Sequence, residues 1–395
     1  MIHNAPGIIV VLLVIEGGIL YCAGHPRTKR FFKFLPAVFW IYFLPMLAST
    51  AGLINPDHAI YGMITKNLLP ARLFLLLLCV DVKAVQKLGP KALTMMLAGS
   101  GGIMIGTVTA FYFLKDIVGE KMWPGFGALS ASWMGGSANM VAVKEALSTP
   151  DDVFLPMVIV DTIVPYFWMG VLVSAAAWQP VVDRFNRADT RVLAELDRKL
   201  ADATTDRPTQ AGPWVTIGIV AVALTGGYAA MFIAGYLPVI KDVISTYAWT
   251  VIAASLLGLA LSFTPVKELR HYGSERVGYV ILYFVLTSIG ARASLQDAGS
   301  SLVLIGAGFL IVFIHAVILL VVARLVRAPL FLAAAASQAN LGGVASAPIV
   351  AEVYHPGLAS VGLLMAVFGG ILGTYLGIIT GQICRLLIGI GGHIP

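Results

Sequence analysis

A short motif built on two adjacent glycines occurs twice in this chain, once in each half. The first copy is Ser130-Ala131-Ser132-Trp133-Met134-Gly135-Gly136-Ser137-Ala138-Asn139, and the second is Ser337-Gln338-Ala339-Asn340-Leu341-Gly342-Gly343-Val344-Ala345-Ser346. Each copy sets its glycine pair among small polar residues inside an apolar stretch. In membrane proteins, glycine-interrupted segments at corresponding positions of two halves are the best sequence indication of a binding site between those halves.

The composition requires a membrane environment. Of the 395 residues, 58% are hydrophobic and only 12% are charged, whereas soluble domains carry about 25% charged residues. Many apolar runs reach the roughly 20 residues that a helix needs to cross the hydrocarbon core. We therefore predict an all-α polytopic membrane protein, with apolar runs at about 5–23, 35–54, 66–82, 92–114, 124–147, 153–178, 213–235, 244–263, 277–291, 301–323, 328–353 and 357–390.

Charges and cysteines fit this class. The first run carries Glu16 and is followed by basic residues, which predicts a first span and not a cleaved signal peptide. The net charge of +6 falls in the loops, where it orients the protein and offers no nucleic-acid surface. The scattered Cys22, Cys79 and Cys384 predict small buried side chains without a metal or redox role.

One long polar stretch divides the apolar runs into two equal sets. The predicted organisation is transmembrane repeat 1 at 1–180, a charged cytoplasmic linker at 181–212, and transmembrane repeat 2 at 213–395. A second correspondence, between 79–89 and 289–299, has nearly the same offset as the glycine motif. Two matches at one offset favour an internal repeat.

The basic residues favour inverted over parallel repeats. If every run crosses the membrane, about 10 of the 26 Lys and Arg residues lie on the cytoplasmic side. If each Gly-Gly segment enters and leaves the membrane by the same face, about 18 of them do. The second topology agrees better with the enrichment of Lys and Arg in cytoplasmic loops. The fold prediction is two inverted repeats, each of about five transmembrane helices plus one Gly-Gly re-entrant hairpin or broken helix. A broken helix that crosses the membrane is the rival geometry.

The glycine pairs predict non-helical backbone, which is tolerated at membrane depth only when buried in protein or lining a wet cavity. Unwinding frees amide donors for an anion and carbonyl acceptors for a cation. Nearby hydroxyls and amides add neutral donors and acceptors, although close packing of helices on small residues is the alternative. The candidate substrate-binding residues are Ser130, Ser132, Gly135, Gly136, Ser137, Asn139, Ser337, Gln338, Asn340, Gly342, Gly343 and Ser346.

Acidic residues near the motifs are the candidates for ion coupling. Asp161 lies inside the span after the first motif, and an intramembrane carboxylate is a functional hypothesis by default. The matching region of the second half has no acid. Glu145 and Glu352 correspond across the repeats, but Lys144 stands beside Glu145 and equally favours a local ion pair.

No sequence pattern favours an enzyme or a nucleotide-driven pump. The chain has no phosphate-binding loop, no cluster with metal-ligand spacing and no nucleophile motif. We expect no cofactor other than Na⁺ or H⁺ as a coupling ion, with Asp161, Asn139 and Asn340 as candidate Na⁺ ligands. Glu16 and His315, inside other spans, are weaker candidates for contact with substrate or ion.

Segments 135–146, 340–348 and 372–377, together with Asp161, resemble the YjcL-like family of uncharacterised bacterial membrane proteins over nearly the whole chain. That family is distantly similar to the superfamily of cation/proton antiporters and of bile-acid, glutamate and hydroxycarboxylate sodium symporters. The resemblance implies a scaffold domain, a core domain and an elevator-like sliding of one against the other. It also implies substrate or Na⁺ contacts at Ser132, Ser137, Asn139, Asn340 and Ser346.

One departure from that superfamily bears on function. The antiporters carry paired acids in one core helix, whereas Asp161 stands alone here, which weakens a pure cation/proton antiport reading. We therefore expect a multi-pass secondary transporter of the bacterial inner membrane that moves a small anionic or zwitterionic solute coupled to Na⁺ or H⁺. Its expected partners are the lipid bilayer, the solute and, by analogy alone, a second copy in a homodimer. The alternatives are a cation/proton antiporter, a channel and a non-transporting membrane scaffold or receptor.

Overall fold

The computed structural model describes residues 1–28, 31–32, 37–189, 191, 196, 212–240, 245–292, 301–355 and 358–388. Most of the predicted linker at 181–212 lies outside them. The described residues form helices and short connections, with one isolated β-bridge between Ile2 and Ile54. The α-helices are α1 (Ala5–Gly24), α2 (Ala37–Thr50), α3 (Ile60–Leu78), α4 (Val82–Gln86), α5 (Gly89–Val118), α6 (Trp123–Gly135), α7 (Ser137–Ala146), α8 (Asp151–Ala175), α9 (Gln179–Asn186), α10 (Pro213–Ala234), α11 (Thr246–Leu261), α12 (Ser274–Arg292), α13 (Ser301–Val326), α14 (Leu330–Leu341), α15 (Gly343–Tyr354) and α16 (Ala359–Leu386).

Seven helical segments in the described part are long and apolar enough to cross a membrane: α1, α3, α5, α8 with its continuation to Asn186, α10, α13 and α16. An eighth is added if α11 and the 3₁₀ helix Pro265–Tyr272, bent by 97°, form one broken span. Helix α2 has 14 residues, and α12 carries charged residues at both ends. The prediction of an all-helical polytopic membrane protein is confirmed, and the number of ten crossings stays a prediction.

The helices pack in two groups. Helices α1, α2, α3, α10, α11 and α12 contact one another and form what we call the six-helix group. Helices α5 to α8 and α13 to α16 contact one another and form the hairpin group. Each group therefore combines corresponding helices from both halves of the chain. This division is compatible with the expected scaffold and core, which stay predictions, as does the inversion of the repeats.

Glycines let helices of the hairpin group touch backbone to backbone. A Cβ built on Gly373 of α16 would lie 2.7 Å from the Cα of Gly135 of α6. One built on Gly127 of α6 would lie 2.8 Å from the Cα of Gly381 of α16. Small residues allow this close approach, which drives helix association in lipid. Gly127 and Gly135 of α6 therefore allow close packing against α16.

The connections gather at two ends of the helix bundle. We call one end the terminal face, because it carries both described ends of the chain: Ile2 N–H donates to the Leu53 carbonyl, and Lys115 Nζ donates to the Leu387 carbonyl at 3.0 Å. We call the other the linker face, because it carries residues that begin the linker. There Lys91 Nζ lies 3.1 Å from Asp189 Oδ2.

Candidate functional site

The first Gly-Gly segment folds back on itself. Helix α6 ends at Gly135 and α7 begins at Ser137, with Gly136 between them at φ 89° and ψ 175°, a conformation that essentially only glycine adopts. Gly127 near the start of α6 lies against Leu147 just beyond the end of α7: a Cβ on Gly127 would be 2.9 Å from Leu147 Cδ1. The two helices are therefore antiparallel, and we call them hairpin 1.

The second Gly-Gly segment also reverses. Helix α14 ends one residue before Gly342, and α15 begins at Gly343, whose φ is 59°. Beside the break, Gln338 Nε2 donates to Ser346 Oγ at 2.7 Å. At the other end, the rings of Phe331 and His355 have centroids 6.2 Å apart. Contacts at both ends require antiparallel helices, which we call hairpin 2. At both motifs the chain reverses its direction, as the predicted hairpins do and as the rival broken helix that crosses the membrane does not.

The two hairpins start from opposite ends of the bundle. The base of hairpin 1 lies at the terminal face, where Lys144 Nζ is 3.0 Å from Asp151 Oδ1 and Arg292 Nη2 is 2.9 Å from Asp151 Oδ2. The base of hairpin 2 lies at the linker face, where the Leu330 N–H donates to Asp183 Oδ1 at 2.7 Å. Both tips therefore project into the middle of the bundle.

Both tips line one cavity of about 1220 Å³. Hairpin 1 contributes the stretch around its glycine pair, and hairpin 2 contributes 341–345. Helices α3 and α12 of the six-helix group line the same cavity, and so does Asp161 of α8, which has Ser132 of hairpin 1 as a neighbour. The cavity extends to the linker face, where its lining includes Lys83, Lys267 and Arg270.

The cavity takes in part of the predicted site. The predicted residues that line it are Ser132, Gly135, Gly136, Ser137, Gly342, Gly343 and Asp161. The remaining substrate candidates do not line it; they are buried behind the tips and hydrogen-bonded to protein groups. These are Ser130, Asn139, Ser337, Gln338, Asn340 and Ser346. In this conformation they support the hairpins, and the unwound backbone faces the cavity.

Asn139 and Asn340 have equivalent surroundings in the two hairpins. Each side-chain amide donates to the carbonyl four residues earlier, at 2.6 Å and 2.9 Å respectively. The amide oxygen of Asn139 accepts a hydrogen bond from Thr374 of α16, and that of Asn340 accepts one from Ser100 of α5 at 2.9 Å. Each hairpin is thus tied to a helix from the other half of the chain.

The structure does not bring the three candidate acids together. Asp161 lines the cavity with Ser132 as a polar neighbour. Glu145 lies at the base of hairpin 1, 3.1 Å from Lys144 Nζ, as the local ion-pair reading anticipated. Glu352 is exposed near the base of hairpin 2. These two acids lie away from the cavity because helices α7 and α15 carry them from the tips to opposite faces.

The proposed Na⁺ ligands do not meet in the cavity either. Asp161 faces it, but the side chains of Asn139 and Asn340 are bonded behind the hairpin tips. In the described part of the chain, no group of three His, Cys, Asp or Glu side chains is placed to hold a metal ion. Of the three proposed Na⁺ ligands, only the Asp161 carboxylate lines the cavity.

Two weaker candidates also lie outside the cavity lining. His315 is buried, with Nδ1 2.8 Å from the Gly99 carbonyl and Nε2 2.9 Å from Ser337 Oγ, so both ring nitrogens are occupied. Glu16 is buried in α1, and both its carboxylate oxygens lack a hydrogen-bond partner in the described part of the structure. His315 therefore supports hairpin 2, and Glu16 belongs to the six-helix group.

Among the charged residues of the cavity that sequence reasoning missed, Arg72 is the buried one. Arg72 lies in the apolar run at 66–82, is 4% exposed and lines the wall formed by α3. Tyr166, Tyr279 and Tyr283 line the same cavity. Like Asp161, Arg72 is an ionisable residue inside an apolar run, and this feature marks both as functional candidates in the sequence.

The fold and the cavity define an all-helical membrane protein in which two opposed hairpins share one central cavity. Residues 11–387 match the family described as "Protein of unknown function (DUF819)", and the chain belongs to that family. It is 25% identical over 358 residues to the "Uncharacterized membrane protein YjcL" of Bacillus subtilis (strain 168). The aligned region covers 85% of this chain and 87% of that protein. The resemblance carried by the glycine motifs is confirmed at this level, and the wider superfamily stays a prediction.

Proposed function

We propose that this protein is an elevator-type secondary transporter of the bacterial inner membrane. It would move a small anionic or zwitterionic organic solute together with Na⁺ or H⁺. The observation that carries the proposal is the shared cavity, which the glycine pairs of two opposed hairpins both reach. Transporters with repeated halves bind their substrates near the midplane at interrupted helices, and they expose that site alternately to the two sides.

The charge of the cavity supports an anionic or zwitterionic solute. Among its lining residues, basic side chains outnumber acidic ones, and Asp81 is already paired with Arg270 at 2.7 Å. The N-termini of α7 and α15, which begin at Ser137 and Gly343, also lie at the cavity. Helix N-termini favour negative charge.

The distribution of basic residues supports a cytoplasmic linker face. Lys83, Lys267 and Arg270 line the cavity mouth there, and Lys91 lies at the same face. Because cytoplasmic loops are enriched in Lys and Arg, the cavity in this conformation would be open to the cytoplasm. The hairpin group would slide against the six-helix group, which is the part expected to contact a second copy in a homodimer.

Asp161 is the proposed coupling residue, and its substitution tests the proposal. Asp161→Asn removes the charge and keeps the size, so it should lower ion-driven accumulation at least tenfold while solute exchange across proteoliposomes continues. The solute for this assay comes from a thermal-shift screen of metabolites with and without Na⁺, since selective ligands stabilise by mass action.

Asp152→Asn is the matched control, because Asp152 lies on the same helix at the terminal face, paired with the exposed Lys121. It should leave accumulation unchanged. Unaltered accumulation by Asp161→Asn would refute the coupling role. If the wild type showed only downhill solute flux that did not depend on any ion gradient, the protein would be a channel and secondary transport would be refuted.

Cation/proton antiport is the second candidate, favoured by the carboxylate of Asp161 inside the cavity. An antiporter would exchange Na⁺ or K⁺ for protons across proteoliposomes without any organic solute. That activity, abolished by Asp161→Asn, would replace the symport proposal.

A further inference from the structure

The cavity contains a buried cation, Arg72, that forms no ion pair with any acid in the part of the chain that the structure describes. Arg72 is almost fully buried, and its Nε has no hydrogen-bond partner. No hydrogen bond or ion pair joins its guanidinium to another described residue. A buried charge is costly unless it is paired and hydrogen-bonded. In a membrane protein such a residue marks a functional position.

Neighbouring residues make room for the guanidinium and hold it by stacking. Gly278 of α12 lies so close that a Cβ there would be 2.8 Å from Arg72 Nη1. The Tyr279 ring centroid is 5.4 Å from Arg72 Cζ, a cation–π contact. Glu275, the nearest acid on that helix, is exposed and influences Arg72 only as a nearby charge. The side chain is therefore placed without being neutralised.

We propose that Arg72 binds a carboxylate of the transported solute, an inference that rests on the proposed function. The planar guanidinium fork matches a carboxylate through two parallel hydrogen bonds. A carboxylate brings one negative charge to one buried positive charge, whereas a phosphate dianion would leave an excess negative charge in the same site. A carboxylate therefore satisfies both the geometry and the charge.

The position of Arg72 also indicates where the rest of the solute lies. Arg72 of the six-helix group and both hairpin tips line one cavity, and Asp161 has Ser132 of hairpin 1 as a neighbour. Tyr166 and Tyr283 line the same cavity as Arg72 and Asp161. The solute therefore bridges the six-helix group and the hairpin group, its carboxylate on α3 and its remainder toward the tips. An ammonium group near Asp161 would make the solute zwitterionic.

The test compares Arg72→Gln and Arg72→Lys with Arg276→Gln in purified full-length protein. Arg276 is an exposed arginine on α12 outside the cavity lining, so its substitution removes one positive charge without touching the site. The probes are pyruvate, succinate and glutamate, with neutral succinamide and inorganic phosphate as comparisons. The readouts are ligand-induced thermal stabilisation and dissociation constants, alongside the gel-filtration profile of each variant.

At least one carboxylate, and neither succinamide nor phosphate, should stabilise the wild type and Arg276→Gln. Arg72→Gln should weaken that binding at least tenfold, and Arg72→Lys should weaken it less, because it keeps the charge and loses the fork. Equal binding by a well-folded Arg72→Gln, stabilisation by phosphate alone, or no carboxylate binding would overturn the assignment. A stronger response to glutamate than to succinate and pyruvate, lost in Asp161→Asn, would support the zwitterionic form.

A second measurement does not depend on the choice of probe. Phenylglyoxal, which modifies accessible arginines, should label Arg72 when added at the linker face of membrane vesicles, and mass spectrometry would locate the adduct. Failure to label Arg72 under conditions that label Arg270 would overturn the inference. If the protein took up a neutral or cationic solute and Arg72→Gln left that uptake unchanged, the carboxylate role of Arg72 would be refuted and the transport proposal would stand. If carboxylates bound in an Arg72-dependent way but were not taken up, the transport proposal would be refuted and the carboxylate role of Arg72 would stand.

Discussion

Two glycines at the hairpin tips hold backbone conformations that other residues adopt only at a cost. Gly136 has φ 89° and ψ 175°, so Gly136→Ala should lower the free energy of unfolding by about 1–3 kcal/mol. Gly343 has φ 59°, and Gly343→Ala should cost about 1–2 kcal/mol. A Cβ at either position meets nothing within 4 Å, so the cost is conformational and not steric. Unfolding of the purified protein in detergent measures both.

Gly170→Ala is the control for these substitutions. Gly170 lies on the exposed side of α8 with open space around it, so alanine should be neutral or raise stability by up to about 1 kcal/mol. If Gly136→Ala behaved like Gly170→Ala, the reversal of the chain would not depend on a glycine conformation.

The sequence alone identified those site residues that differ in type from their immediate neighbours. The glycine pairs and Asp161 interrupt apolar runs, and both reach the cavity. It could not tell residues facing the cavity from residues bonded behind it, because the partners of Asn139 and Asn340 are Thr374 and Ser100, far away in the chain. Neutral hydroxyls and amides look alike in sequence whether they bind a solute or a neighbouring helix.

At the scale of elements, a single hydroxyl helps to hold each hairpin. Thr374→Val keeps the shape of the side chain and leaves the buried amide oxygen of Asn139 without its donor. An unsatisfied buried acceptor costs about 1–3 kcal/mol, so thermal unfolding should shift downward by the corresponding amount. Ser100→Ala should have a similar effect through Asn340 and hairpin 2.

Thr216→Val is the matched control, because Thr216 is exposed on α10. Its substitution should change stability by less than about 0.5 kcal/mol. If Thr374→Val changed stability no more than this control does, the hydrogen bond to Asn139 would not support hairpin 1.

The elements themselves were largely predictable, because each apolar run corresponds to a helix or to one of the two hairpins. The geometry at the breaks was not. A hairpin and a crossing broken helix have the same composition, and only contacts between the two ends, such as Gly127 with Leu147, distinguish them. The count of basic residues was the one sequence argument that bore on the choice.

At the scale of the whole molecule, an ion pair joins the two helix groups at the terminal face. Arg292 of α12 contacts Asp151 at the start of α8, 2.9 Å away. Removing it should ease opening of that face, so Arg292→Gln should speed terminal-face labelling of a cysteine at Ser137. A partly exposed pair contributes roughly 0.2–1 kcal/mol, which corresponds to an increase of up to about fivefold.

Lys121→Gln is the matched control, since Lys121 pairs with Asp152 at the same face within the hairpin group. It should leave the labelling rate unchanged. A slower rate in Arg292→Gln would contradict the role of this pair in closing the terminal face. The two-group arrangement itself could not be predicted from residue patterns, because it depends on contacts between helices from different halves of the chain.

Transport as proposed requires both glycine pairs to face one water-filled cavity that opens at the linker face. Single cysteines replacing Ser137 or Ala345, in a protein whose Cys22, Cys79 and Cys384 are changed to serine, test it with a membrane-impermeant maleimide. Both should react at least tenfold faster from the linker face, whereas a cysteine replacing the exposed Ser148 should react from the terminal face. Two unreactive tips, or tips that react only from the terminal face, would contradict the account.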